Sequence, residues 1–317
     1  MSLAFVFPGQ GSQSVGMLAA LAAAEPVVRQ TFDEASAVLG YDLWALCQHG
    51  PEAELSSTEK TQPAMLAAGV ATWRAWIRND GPRPVAMAGH SLGEYTALVC
   101  SGALAFGDAV DVVRFRGRAM QDAVPLGTGA MAAVLGLDDD QVVAACRESE
   151  QGEVVEAVNF NAPGQVVIAG HATAVARAIE AAKLRGSKRA MTLPVSVPSH
   201  SRLMSGAARQ LAERLAGVAV GMPDVPSVYT VDVKTHETPD GIRTALEQQL
   251  CKPVRWADTV RAMLARGVTT LIECGPGKVL TALNRRIERR PELRMLAIED
   301  PDGLAAALAA CRENPHG

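Results

Sequence analysis

The run of residues 89–95, Gly-His-Ser-Leu-Gly-Glu-Tyr, constrains the fold of this chain more than any other segment. It follows the apolar segment 84–88 and precedes a helix-like stretch from Tyr95 to Gly102. A buried strand, a Gly-x-Ser-x-Gly turn and a helix form the nucleophile-elbow pattern, in which the serine hydroxyl stands clear of the backbone. The pattern predicts a strand joined to a helix, with Ser91 as the candidate nucleophile. An ordinary turn is the alternative interpretation.

The two glycines of this turn have a steric purpose. A sharp turn from strand to helix forces Ser91 into unfavourable backbone geometry, and Gly89 and Gly93 are small enough for the chain to pass. The hydroxyl of Ser91 would lie at the positive end of the following helix, where an alkoxide and an oxyanion are both stabilised. This position suits a catalytic nucleophile.

Composition and charge exclude several classes of function. The chain has 317 residues, enough for one large domain or for a large domain with a smaller insertion. Its net charge of −4 and aromatic content of 4% offer neither a basic surface for phosphates nor stacking platforms for bases, so we expect no nucleic-acid role. The six cysteines form no C-x-x-C pair, which predicts neither a metal site nor a disulfide framework.

The sequence shows no membrane or secretion signal. It lacks an apolar stretch of about 18 residues, the minimum for a membrane-spanning helix. Residues 1–13 do not have the positive region and long apolar core of a signal peptide. We therefore expect no membrane association and a cytoplasmic location.

The alternation of apolar segments predicts a mixed α/β chain. A strand is expected at Leu3–Phe7, and two later strands at 227–231 and 269–273. Helices are expected over 61–76 and Phe106–Asp122, the second with an apolar face.

An inserted unit interrupts this pattern. Residues 130–197 show the order β-α-β-β-α-β of a ferredoxin-like unit, with the last strand predicted over 189–197. We therefore divide the chain into a large α/β domain, 1–125 and 198–317, and a ferredoxin-like α+β subdomain, 126–197.

A serine nucleophile needs a base, and histidine is the usual one because its pKa lies near neutrality. His200 is the best candidate among the six histidines, which also include His316 in the tail. A solvated loop histidine is the alternative interpretation of His200. The sequence marks no acid that would complete a triad: Asp232 and Asp258 are possible, and a carbonyl oxygen could orient the imidazole equally well.

Three arginines lie two residues apart in the predicted helix Phe106–Asp122. Such a cluster commonly forms a solvated helix face. Residues two apart on a helix are rotated by about 200°, so Arg114 and Arg118 share one side while Arg116 faces the other. Arg116 can therefore point inward while the other two arginines meet water, although the spacing alone does not select it.

Two glycine-rich segments do not match nucleotide-binding motifs. Ser14 stands where a dinucleotide fingerprint beginning at Gly9 needs its third glycine. Val279 follows Lys278 where a Walker loop needs Ser or Thr, and Ile272 stands at the position of its first glycine. We therefore expect no nucleotide cofactor.

Seven segments spread along the chain resemble, in order, the signatures of the malonyl-CoA:acyl-carrier-protein transacylase family of bacterial fatty-acid synthesis. The segments are Phe7–Gln13, Gly89–Tyr95, Arg116–Gln121, Asn159–Gln165, Val197–His200, Gln249–Leu250 with Pro253–Val254, and Gly275–Leu280. The resemblance implies a hydrolase-like parallel-sheet domain with an inserted ferredoxin-like subdomain. It also implies malonyl-CoA as donor substrate and no bound cofactor or metal.

The resemblance assigns a role to each matching site residue. It implies that Ser91 is acylated, that His200 is its base, and that the carbonyl of Gln249 holds the imidazole. The backbone amides of Gln10 and Leu92 match the oxyanion hole. The remaining match, Arg116, corresponds to the residue that binds the malonyl carboxylate.

The resemblance also implies acyl carrier protein as the partner and a monomeric enzyme. The basic run 285–290 reads most simply as solvated surface, with contact to the acidic carrier as the alternative. The chain departs from the family at Tyr229 and Thr230, where relatives commonly carry asparagines. Two other functions share parts of the pattern: a serine hydrolase, which needs a triad acid, and a binding module in which the elbow is only structural.

Overall fold

The computed structural model describes residues 2–125, 127–195 and 197–312, which form two sheets and the helices that cover them. The strands are β1 (Leu3–Phe7), β2 (Ala86–Gly89), β3 (Gly129–Leu135), β4 (Val155–Ala162), β5 (Gln165–His171), β6 (Arg189–Thr192), β7 (Ser227–Val228), β8 (Thr270–Cys274) and β9 (Arg294–Ile298). The helices of the first half are α1 (Ala19–Ala24), α2 (Pro26–Leu39), α3 (Leu43–His49), α4 (Glu52–Leu55), α5 (Thr58–Arg78), α6 (Gly93–Cys100) and α7 (Phe106–Asp122). Those of the second half are α8 (Asp139–Ser149), α9 (Ala172–Leu184), α10 (Ser205–Ala216), α11 (Pro239–Cys251), α12 (Trp256–Ala265), α13 (Val279–Ile287) and α14 (Pro301–Arg312).

A parallel sheet with the strand order β7-β2-β1-β8-β9 forms the centre of the large domain. Every residue of β1, β2 and β8 is buried, because helices cover both faces of the sheet. Strands buried on both faces are expected to be continuously apolar, as Leu3–Phe7 is. The carboxyl ends of β1 and β2 lie side by side, with Phe7 paired to Gly89, and this edge carries the elbow.

The second sheet is antiparallel, with the order β4-β5-β3-β6. Its elements follow the chain order β3-α8-β4-β5-α9-β6, which is that of a ferredoxin-like unit. Apolar residues of α8 and α9, such as Val142 and Val175, pack against Val134 and Ile168 of the sheet. The predicted fold class, a parallel-sheet α/β domain with an inserted ferredoxin-like unit, is confirmed.

Main-chain hydrogen bonds join the two units near the elbow. The N–H of Phe160 donates to the carbonyl of Val254 at 2.9 Å, and the N–H of Val254 donates to the carbonyl of Val158 at 2.8 Å. A side-chain contact of 2.9 Å joins His90 Nε2, beside the serine, to Asn161 Oδ1 at the end of β4. The inserted unit is therefore attached directly to the segment that carries Ser91.

Two predicted strands are shorter in the structure than in the sequence analysis. The strand expected over 189–197 ends at Thr192, because Pro194 has no N–H to continue the ladder. Within that range, Ser196 lies outside the described residues. The strand expected over 227–231 ends at Val228, because the N–H of Thr230 donates to the carboxylate of Glu94 instead of a neighbouring strand.

The edge strand of the large sheet, β9, was not predicted from the sequence. Leu126, at the start of the predicted subdomain, and His316 lie outside the described residues. Among the helices described, none combines the length and apolar character needed to cross a membrane.

Candidate active site

Ser91 lies in the tight turn between β2 and α6. Its backbone has φ of 53°, in the left-handed region that non-glycine residues rarely adopt. The turn is closed by tight packing: a Cβ added to Gly89 would lie 1.8 Å from the carbonyl carbon of Gly93. A Cβ on Gly93 would lie 2.0 Å from the carbonyl oxygen of Phe7. No side chain fits at either glycine, so the packing of β1, β2 and α6 holds the strained serine in place.

The segment after β1 passes close to the same turn. A Cβ added to Gly9 would lie 2.5 Å from the carbonyl oxygen of His90, so the chain leading to Gln10 runs directly beside the serine. Among the hydrogen bonds of residues 2–125, 127–195 and 197–312, none uses the main-chain N–H of Gln10 or Leu92 as donor. These two amides are available to hold an oxyanion next to Ser91.

His200 is buried in the loop that leads into α10, and its ring is held by the main chain. Its Nδ1 lies 2.7 Å from the carbonyl oxygen of Gln249. Because a carbonyl can only accept, Nδ1 carries the hydrogen and Nε2 keeps a free lone pair, as a general base requires. Burial, together with the nearby charge of Arg116, lowers the pKa of His200 to about 3, so the ring is neutral at pH 7.

Arg116 points inward from α7 and is only 1% exposed. Its Nη2 donates to Ser91 Oγ at 3.1 Å and to Gln249 Oε1 at 2.9 Å. Its Nε is buried and has no partner in the part of the chain that the structure describes. By contrast, the side chains of Arg114 and Arg118 are 34% and 66% exposed, on the opposite side that helix geometry predicts.

Gln249, in the last turn of α11, contacts all of these groups. Its main-chain oxygen accepts from His200, and its Oε1 accepts from Arg116. Its Nε2 donates to the main-chain oxygen of Ser91 at 2.8 Å and to Glu94 Oε2 at 2.6 Å. The structure therefore brings Ser91, His200 and Arg116 together around one buried glutamine.

Ser91 and His200 share Gln249 but are not hydrogen-bonded to each other in this arrangement. The partner of Ser91 Oγ is Arg116, and the hydrogen bonds of the described residues include none between Oγ and the imidazole. Catalytic hydrogen bonds are often long without substrate and tighten when it binds. Because Arg116 Nη2 is the donor in its contact with Oγ, the hydroxyl hydrogen of Ser91 stays available to the imidazole.

The candidate triad acids lie elsewhere. Asp232 is 3.2 Å from His236, and Asp258 is paired with Arg255 and Arg261. The imidazole of His200 is oriented by a carbonyl instead, which was one of the alternatives left open by the sequence.

The sequence analysis missed Glu94 and the side chain of Gln249. Glu94 follows Ser91 by three residues, so it lies near the serine on α6, and an acid inside a buried motif is a signal that could have been used. The residues described contain no cluster of three or more His, Cys, Asp or Glu that could hold a metal ion.

The chain is similar to known proteins over almost its whole length. The family profile described as acyl transferase domain matches residues 4–296. The malonyl CoA-acyl carrier protein transacylase of Escherichia coli K12 is 57% identical over 305 residues, covering 96% of this chain and 98% of that protein. The protein of the same name from Bacillus subtilis is 43% identical over 312 residues, covering 98% of each.

Solved structures of such proteins superimpose closely on this one. The malonyl CoA-acyl carrier protein transacylase of Coxiella burnetii gives a TM-score of 0.96 at 47% identity, covering 98% of this chain and 97% of that one. A malonyl-transacylase solved in complex with its type II polyketide acyl-carrier protein also gives 0.96, at 55% identity, covering 98% and 100%.

Proposed function

This chain belongs to the acyl transferase family, and we propose that it transfers the malonyl group of malonyl-CoA to the phosphopantetheine thiol of acyl carrier protein through an ester on Ser91. The product supplies fatty-acid chain elongation. The observation that carries the proposal is the position of Gln249, which holds the proposed base, the proposed carboxylate anchor and the serine turn within one hydrogen-bond network.

The first half of the reaction acylates the serine. His200 Nε2 accepts the proton of Ser91 as Oγ attacks the thioester carbonyl, and the amides of Gln10 and Leu92 stabilise the oxyanion. The carbon–sulfur bond then breaks, and CoA leaves with the proton that His200 returns. Loss of one oxyanion donor in an acyl-transfer enzyme typically costs about 3–4 kcal/mol.

The second half reverses these steps with a different thiol. The phosphopantetheine thiol gives its proton to His200 and attacks the malonyl ester, and Ser91 leaves with the proton returned by the imidazole. No acid residue is needed, because the carbonyl of Gln249 keeps the hydrogen on Nδ1 throughout.

Arg116 gives the site its preference for a dicarboxylic half-thioester. A planar guanidinium grips a carboxylate with two parallel hydrogen bonds, and its unpartnered Nε is one donor available for this. Binding the malonyl carboxylate engages the guanidinium that otherwise donates to Ser91 Oγ.

We also propose a domain division, an oligomeric state and a location for this chain. The chain divides into a large domain, 1–125 and 198–317, and a subdomain, 126–197. The whole chain acts as a monomer and works in the cytoplasm. The two sheets support the division, the monomer rests on the resemblance, and the location rests on the absence of membrane and secretion signals in the sequence. Sedimentation of the purified chain tests the monomer.

Intact-protein mass spectrometry after exposure to malonyl-CoA tests the function. We expect a malonyl increment on the wild type, its absence in S91A, and its removal on adding phosphopantetheinylated acyl carrier protein. Release of CoA that continues without carrier protein would indicate a hydrolase. A wild-type chain that gains no increment would indicate a binding module.

A further inference from the structure

Glu94 is a buried carboxylate that the reaction described above does not use. It lies in the first turn of α6 and is 2% exposed. A carboxylate in such a place is costly unless it is fully hydrogen-bonded, so its partners define its role.

Three donors meet the two oxygens of Glu94. The N–H and the hydroxyl of Thr230 each donate to Oε1 at 2.7 Å, and Gln249 Nε2 donates to Oε2 at 2.6 Å. Burial raises the pKa of Glu94 to about 7, while these hydrogen bonds and the charge of Arg116 act in the opposite direction. The contacts are those of an acceptor at both oxygens, which is the ionised form.

The hydrogen bond to Glu94 determines which way the side-chain amide of Gln249 points. One end of an amide donates and the other accepts, so fixing Nε2 on Glu94 turns Oε1 toward Arg116 Nη2. The reversed amide would place a donor against the guanidinium and an acceptor against the carboxylate. Both contacts would then be repulsive.

We propose that Glu94 is a positioning residue for malonyl selectivity: it sets the orientation of the Gln249 amide, and through that amide it holds the guanidinium of Arg116 beside Ser91. The inference rests on the proposed function, since it takes Arg116 as the carboxylate anchor. It assigns Glu94 no contact with the substrate.

The isosteric variant E94Q tests the proposal. The fixed N–H of Thr230 would retain the amide oxygen, so the new amide nitrogen would face Gln249 Nε2 and force that amide to reverse. We expect the ratio of kcat/KM for malonyl-CoA over acetyl-CoA to fall about ten- to a hundredfold, the worth of one hydrogen bond to a charged group. The loss of selectivity should appear mainly in KM for malonyl-CoA, whereas losing the Gln249 Nε2 bond to the main-chain oxygen of Ser91 should lower kcat for both donors alike.

E273Q is the matched control. Glu273 is also fully buried and accepts main-chain hydrogen bonds, from Leu280 at 3.0 Å and Thr281 at 2.7 Å. Loss of this carboxylate should lower stability without changing the selectivity ratio. A ratio that falls equally in E94Q and E273Q would overturn the proposal in favour of a structural role.

A double-mutant cycle with Q249A tests whether Glu94 acts through the side-chain amide of Gln249. This variant removes the amide but keeps the main-chain carbonyl that holds His200. In the Q249A background, E94Q should cause no further loss of selectivity, because the amide it reorients is gone. Additive losses would mean that Glu94 acts by another path, contrary to the proposal.

Two further variants, T230V and R116A, complete the test of Glu94. If E94Q does not fold, T230V, which removes one donor to Glu94 Oε1, should lower the ratio at least about twofold, and an unchanged ratio overturns the proposal. R116A separates this inference from the function it rests on. Selectivity lost in R116A but kept in E94Q refutes the role of Glu94 alone, whereas selectivity kept in R116A refutes the anchor itself.

Discussion

Replacing Arg116 with alanine is the most direct test of how the site selects its acyl group. The side chain is 1% exposed, so water does not screen its pairing with a carboxylate. Two charge-assisted hydrogen bonds to that carboxylate contribute about 1.5–3 kcal/mol each. The guanidinium gives up its contact with Ser91 Oγ to make them, and that hydrogen bond, whose donor is charged, also contributes about 1.5–3 kcal/mol.

The net loss in R116A is therefore about one charge-assisted hydrogen bond, about 1.5–3 kcal/mol of malonyl-specific transition-state binding. We expect the ratio of kcat/KM for malonyl-CoA over acetyl-CoA to fall about a hundredfold, near the upper end of that range. The assay measures acyl transfer to carrier protein from each donor over a range of concentrations. A thermal melt of the same samples shows whether the fold survives the unpaired Gln249 Oε1.

R118A is the control, because Arg118 lies on the same helix with a side chain that is 66% exposed. Its nearest carboxylate, on Glu59, is 3.8 Å away, and such surface pairs contribute about 0–1 kcal/mol. The selectivity of R118A should equal that of the wild type. If R116A kept its malonyl preference within about threefold, the assignment of the anchor would be wrong.

Three further predictions concern stability. G93A should lower the free energy of unfolding by more than about 3 kcal/mol, because its Cβ would lie 2.0 Å from a carbonyl oxygen of β1. G107A should raise the free energy of unfolding by about 0.5–1 kcal/mol, because the nearest atom to its Cβ would be 3.8 Å away. Urea titration measures both changes. The pKa of His200 falls from 6.5 to about 3 on folding, so the unfolded chain binds more protons between these values. The free energy of unfolding should thus drop by about 2 kcal/mol more from pH 7 to pH 5 in the wild type than in H200Q. W256F removes the buried donor to Asn284 Oδ1 at 3.0 Å and should cost about 1–3 kcal/mol in urea unfolding.

Each of these has a clear contrary result. Equal stabilities of G93A and G107A would show that the elbow tolerates a side chain. Parallel pH profiles for the wild type and H200Q would mean that the histidine does not lose its proton affinity on folding. A W256F variant as stable as the wild type would mean that the buried hydrogen bond is replaced by another.

Local patterns in the sequence account for much of the fold. The elbow was predictable because strand, turn and helix follow one another within residues 84–102, and Gly89 is required by a contact with Gly93 inside that stretch. The ferredoxin-like order was predictable for the same reason, since apolar periodicity and turn residues are properties of neighbouring positions. Helix geometry placed Arg116 on the side opposite Arg114 and Arg118, and the family resemblance identified Arg116 as the inward residue.

Two of the errors concern strands whose end or existence is not evident from their own residues. The strand at Ser227–Val228 stops early because the amide of Thr230 is taken by Glu94, which is 136 positions away. The edge strand Arg294–Ile298 was missed because it is only partly buried and follows a basic, polar stretch. Neither feature has a signature in its own segment.

By itself, the sequence determined that a serine would stand on a turn between a buried strand and a helix, because the strand, the glycines and the helix that mark this turn are adjacent in the chain. Tertiary structure alone decided that Gln249 would meet both Ser91 and Glu94, 158 and 155 positions away. These contacts depend on where the sheet and its connections place α11 and α6. No local pattern of charge or hydrophobicity records them.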